Sequence, residues 1–104
     1  MEKIFWTGYS KEERHVAINM VKSVVSLYGD IVDFKLFSDL SITMVIEIEE
    51  LKVDGLYNDL LKITGMEYFE CLHSTSRRER RIYLNITFTR GTGNLLIEVP
   101  SVPG

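Results

Sequence analysis

One cysteine, two prolines, two histidines and a single tryptophan stand among 104 residues, and each scarcity closes off a class of protein. A lone Cys71 cannot form an internal disulfide framework and fits a reducing compartment. His15 and His73 lie far apart, and no C-x-x-C, H-x-x-x-H or H-E-x-x-H spacing occurs, so no metal site is expected. Long apolar runs are missing as well: none approaches the roughly 20 residues that cross a bilayer, and the opening MEKIFWTGYSKEER lacks the apolar core of a secretory signal. A cytoplasmic protein without a membrane partner is therefore expected. The formal net charge is −3, which lacks the basic excess of a nucleic-acid-binding domain, so no nucleic acid is expected either. Gly91-Thr92-Gly93-Asn94 is too short for a phosphate loop and has no helix after it, so it reads as a turn and no cofactor is implied.

What is present is hydrophobic patterning, with 45% hydrophobic and 26% charged residues, ordinary for one small globular domain. Lys3 to Thr7 is rich in strand formers and stops at Gly8. Ser10 and Glu13 have the spacing of a capping box, and Ala17, Met20, Val21, Val24, Leu27 and Tyr28 then recur at helical intervals as far as Gly29, which is placed to end the helix in a left-handed conformation. Val32, Phe34 and Leu36 alternate, as do Ile42, Met44, Ile46 and Ile48, with Ser38-Asp39 between them; this is a β-hairpin. Its first strand is expected to turn Val32, Phe34 and Leu36 toward the helices, leaving Ile31, Phe37 and Val45 on a mixed second face. Asp54-Gly55 and the apolar positions Leu56, Leu60 and Ile63 indicate a shorter helix ending before Gly65. Glu67 to His73 alternates and reads as a strand, with Cys71 a small hydrophobe within it. Ser74 to Arg81 is polar and reads as a loop, and Ile82 to Thr89 alternates again.

The order strand, helix, strand, strand, helix, strand is that of a ferredoxin-like βαββαβ domain, α+β in class, with an antiparallel sheet and two helices on one face. The Ile82 to Thr89 strand is additional. One domain is expected over residues 1–90, including the extra strand at 82–89, with residues 91–104 a tail whose Leu95 to Val99 run suits a short edge strand or an arm.

Few residues could carry chemistry, and no nucleophile, acid or base shares a recognisable motif with another, so no enzyme activity is expected. Glu47, Glu49 and Glu50 read as solvated carboxylates, and Trp6 as core. From residue 77 onward five arginines face two glutamates, and Arg77, Arg78, Arg80 and Arg81 are either a weak anion site or a solvated loop. The segment Thr7, Gly8, Tyr9, Ser10 is the better candidate, because it reads as the loop before the first helix, whose positive end attracts a carboxylate. Asp30 is placed to meet a cationic amine.

The stretch from Val16 to Ile48, with its apolar helix, Gly29-Asp30-Ile31-Val32-Asp33 and Thr43-Met44-Val45-Ile46-Glu47, resembles the ACT domain, and most of all the glycine cleavage system repressor type. The likeness covers about residues 3 to 73 and lies mostly in hydrophobic pattern. It implies a four-stranded antiparallel sheet, domains that join into dimers, and an amino-acid effector held against Thr7, Gly8, Tyr9 and Ser10 and against Asp30, Ile31 and Val32. The Asp-x-x-Gly that commonly opens the family's loop is replaced here by Tyr9-Ser10-Lys11-Glu12. The function expected on this basis is a non-catalytic regulatory module that forms a homodimer and senses a small carboxylate-bearing metabolite such as an amino acid. The alternative is a ligand-free module that binds a protein partner. A third class, a small cofactor-free enzyme on the same scaffold, finds no paired acid and base.

Overall fold

The computed structural model describes residues 3–38 and 40–89. Asp39 of the hairpin turn, the turn expected at 91–94 and the edge strand expected at 95–99 lie outside the described residues. In chain order the elements are β1 (Lys3–Ser10), α1 (Arg14–Val25), β2 (Gly29–Ser38), β3 (Ser41–Glu49), a 3₁₀ turn (Glu50–Lys52), α2 (Val53–Leu61), a short β4 (Gly65–Met66) and β5 (Glu79–Phe88). The five strands form one mixed sheet in the order β2-β3-β5-β1-β4. Only β1 and β5 run parallel; the other neighbouring pairs are antiparallel. The class is α+β, as the sequence pattern implies.

Period-two alternation sends one row of each central strand to the helices. Ile4 and Trp6 of β1, Ile82, Leu84, Ile86 and Phe88 of β5, and Ile42, Met44, Ile46 and Ile48 of β3 form that inner surface. Ala17, Val21 and Val25 of α1 and Val53, Leu56, Tyr57 and Leu60 of α2 close over it, so both helices cover the same face. Burying each Val, Leu, Ile, Phe or Met side chain of this set contributes about 1.5–3 kcal/mol. Trp6 is core, as expected, with its ring 5.3 Å from Tyr57 and 5.2 Å from Phe69.

Several expectations are corrected. The additional strand is not an appendage: β5 lies between β3 and β1, in register from Lys3↔Arg81 to Ser10↔Phe88. Its inner row is almost wholly inaccessible, and a strand so apolar is best served in the middle, where both hydrogen-bonding edges are paired. Glu67 to His73 is not a strand; the brief β4 ends just before it. The backbone there finds side-chain partners instead: Asp54 accepts the Leu72 and His73 N–H groups at 2.8 Å each, and the Tyr57 hydroxyl donates to the Glu67 carbonyl. Half-buried Cys71 lies in this irregular run, not in a strand.

The first strand extends past Gly8 to Ser10, so Thr7 to Ser10 is strand and not loop. Helix α1 begins at Arg14 with Glu13 as its cap, the Glu13 carboxylate accepting from the His15 and Val16 N–H groups, while Ser10 Oγ accepts from Glu12 N. Gly29 opens β2 and has no left-handed conformation. A Cβ there would lie 2.5 Å from the Glu47 carbonyl oxygen, so close approach of two strands is what requires glycine. Leu27, expected on the apolar stripe, lies past the end of α1 and is exposed.

On β2, Phe34 and Leu36 do lie on the helix side, opposite Met44 and Ile42, but the strand is at the sheet margin and the helices cover it only in part. They remain 36% and 51% exposed. A bulge at Val32 interrupts the alternation and puts Ile31 opposite Ile46, so Ile31 packs against the core and is not on the outer face as expected. Val45 is on the outer face yet only 8% exposed, between Asp33 and Tyr83 in the ladder.

Candidate functional site

Strand pairing fixes where the expected ligand residues fall. Across the sheet, Lys3, Arg81, Glu47 and Asp30 share one row, and Tyr9, Thr87, Ser41 and Ser38 share another toward the opposite end. Tyr9 and Ser10 are therefore toward one end of the sheet and Asp30 and Ile31 toward the other, with β5 and β3 between their strands, and one chain does not bring the two segments around a single small molecule. Gly8 and Ser10 are buried, Thr7 and Ile31 half-buried, and Tyr9, Asp30 and Val32 exposed.

The electrostatic basis of that site changes too. The first N–H groups of α1 already meet the Glu13 carboxylate, which these bonds hold below its ordinary value of 4.5. An external carboxylate would have to displace it. What does lie beside Tyr9 is an open groove of about 480 Å³, lined by Tyr9, Lys11, Glu12, Leu61, Ile63, Thr64, Gly65 and Thr89. The Tyr9 hydroxyl donates to Glu67 at 2.6 Å, and that bond holds its pKa above the ordinary 10.0. Thr64 donates to the Tyr9 carbonyl at 2.6 Å, tying the end of α2 to β1. Lys11 and Glu12 place one charge of each sign on the rim.

The arginine cluster has its anions within the chain. Arg78 Nε donates to Glu50 Oε1 at 2.6 Å and Arg80 Nη1 to the same oxygen at 3.1 Å; Arg81 donates to Glu47, and Arg77 lies 3.9 Å from Glu49. The three carboxylates that read as solvated in the sequence are thus the arginines' partners. Among the described residues no group of three or more His, Cys, Asp and Glu is placed to hold a metal ion, and no helix is long and apolar enough to cross a membrane.

No family model, curated protein or solved structure matches this chain.

The feature that sequence reasoning placed wrongly is the margin of the sheet. Val32, Phe34, Leu36, Phe37 and Leu40 are all at least 36% exposed, and all lie on β2 or the turn after it. Among the described residues β2 pairs only with β3, so its outward N–H and C=O groups form an open edge. Phe34 is held in place on the helix side by Lys22 of α1, whose Nζ sits 4.8 Å from the ring centroid. Part of the signal is in the sequence: between Ile31 and Phe37 apolar residues occur at both parities among the charges of Asp33 and Lys35, a mixed pattern that suits a sheet partly covered by a partner.

Proposed function

We propose that this chain is a non-catalytic assembly module that pairs with a second copy of itself through the β2 edge. The observation that carries the reading is the concentration of exposed apolar side chains on a ten-residue edge strand. Monomeric proteins blunt such edges with charges, prolines or covering loops, and here only Asp30, Asp33 and Lys35 interrupt the apolar run. The resemblance to the ACT domain adds support, since that family joins its domains into dimers. We also infer a ferredoxin-like frame beneath the five-stranded sheet: α1 joins β1 to β2, α2 joins β3 to β4, and taking out β5 leaves the order β2-β3-β1-β4. The expected result is a mass of twice 12.0 kDa by light scattering at micromolar protein, reduced to the monomer by Phe34→Glu. A monomeric mass up to millimolar protein defeats the proposal.

A regulatory reading, in which the module senses an amino acid, is favoured by one specific feature, the groove beside Tyr9. Lys11 suits a carboxylate and Glu12 an amine. A ligand at 100 times its dissociation constant raises stability by about 2.7 kcal/mol, so thermal-shift measurements with the common amino acids test it. Protection by one of them, lost in Lys11→Ala, is the expected result, and no shift with any of them removes this reading.

A further inference from the structure

The β2 edge is self-complementary in only one register. Two copies of a strand paired antiparallel about a two-fold axis place residues i and j opposite each other when i + j is constant. Facing residues must also direct their backbone groups the same way, toward or away from the partner. For a strand paired with itself, i and j then share parity, and the axis passes through one residue. Within the run bounded by the bulges at Val32 and Phe37, the candidates are few. An axis at Asp33 puts Asp33 against its own copy, and an axis at Lys35 does the same for Lys35, so each faces like charge with like. An axis at Val32 or Leu36 sets charged residues against apolar ones.

An axis at Phe34 sets Asp33 opposite Lys35, Lys35 opposite Asp33, Val32 opposite Leu36, and Phe34 opposite itself. Asp33 and Lys35 lie on the outer face, opposite Val45 and Thr43 of β3, and Phe34 and Leu36 on the helix side. Between Asp33 and Lys35 each face of the seam is thereby matched in kind, with two ion pairs outside and an aromatic pair inside. Cross-strand pairs of both kinds stabilise a sheet, and like charges directly opposite destabilise it.

We infer that two copies of this chain join through β2 with the two-fold axis at Phe34, in a sheet continuous across both copies and with Asp33 of each facing Lys35 of the other. This inference rests on the self-association proposed above and adds its geometry.

Charge exchange tests it. Asp33→Lys gives a chain that presents two lysines to its own copy, and Lys35→Asp one that presents two aspartates, so each alone weakens the dimer by about tenfold or more. Mixed together, the two variants face lysine with aspartate at both positions and form a heterodimer at close to the original affinity. The double variant Asp33→Lys/Lys35→Asp also recovers the homodimer. Both positions are exposed, and circular dichroism verifies that each variant is folded. Phe34→Cys adds an independent measurement, because the axis brings its thiol against its own copy within disulfide reach, whereas Lys35→Cys has no thiol opposite. A dimer that survives both single reversals, or a mixture that fails to associate, overturns the register and leaves self-association standing. A monomeric parent protein overturns both.

Discussion

Glu50 is the residue on which the chain's acidic and basic halves converge. Its carboxylate, 12% accessible, accepts from Arg78 and from the nearly inaccessible Arg80. Hydrogen bonding from Ser74 and then from Arg78 and Arg80 lowers its pKa from 4.5 to about 2. The folded state therefore binds this proton less readily than the unfolded chain does, so the stabilisation is complete above about 4.5 and is lost as the pH falls toward 2. Glu50→Gln removes the titration and is expected to be less stable than the parent at neutral pH, the gap closing on acidification through that window. Urea midpoints measured stepwise in pH decide this, and parallel profiles for the two proteins would show that Glu50 is not the linked group. The arginine cluster was plain in the sequence, but its partners lie 28 to 34 positions away. The ladder between β3 and β5, and the backbone contacts that continue past its end at Glu50 and Arg78, bring them together, and composition carries no trace of that register.

Elements defined by local periodicity were legible. Helix α1, the hairpin of β2 and β3, and helix α2 appear where apolar spacing places them, because each buries a face whose pattern repeats within a few residues. Positions decided by distant chain were not. The run Glu67 to His73 alternates well enough for a strand, yet Asp54 and Tyr57 of α2 supply hydrogen-bond partners that a ladder would otherwise provide. Gly29 was misread for a related reason: the sequence suggested a helix stop, while the constraint comes from β3. Gly29→Ala sets a Cβ 2.5 Å from the Glu47 oxygen and 3.0 Å from Ile48 Cβ, and is expected to destabilise the fold by about 1–3 kcal/mol through overpacking. Gly65→Ala, whose Cβ would have 3.4 Å to its nearest neighbour and whose φ is not positive, is expected to be tolerated. Chemical denaturation of the two variants makes the comparison, and equal midpoints would mean that the β2 and β3 backbones part readily.

Across the whole molecule, the core lies under three strands drawn from the two ends and the middle of the chain, and the open margin lies on a fourth. The resemblance anticipated four antiparallel strands; the parallel contact between β1 and β5 has no counterpart in that scheme, and the candidate ligand residues were separated by the sheet order. Placing the last described strand at the centre also governs how the protein comes into being. A chain made from its N-terminus presents β1 and β3 long before the strand that bridges them, and β1 until then has only the two residues of β4 to pair with. Closing a contact such as Ile4 to Ile82 spans most of the polypeptide, and such long-range closures slow folding. Until Phe88 has left the ribosome the inner rows of β1 and β3 lack the strand that joins them, so the complete sheet forms late in synthesis, after both of the helices that cover it.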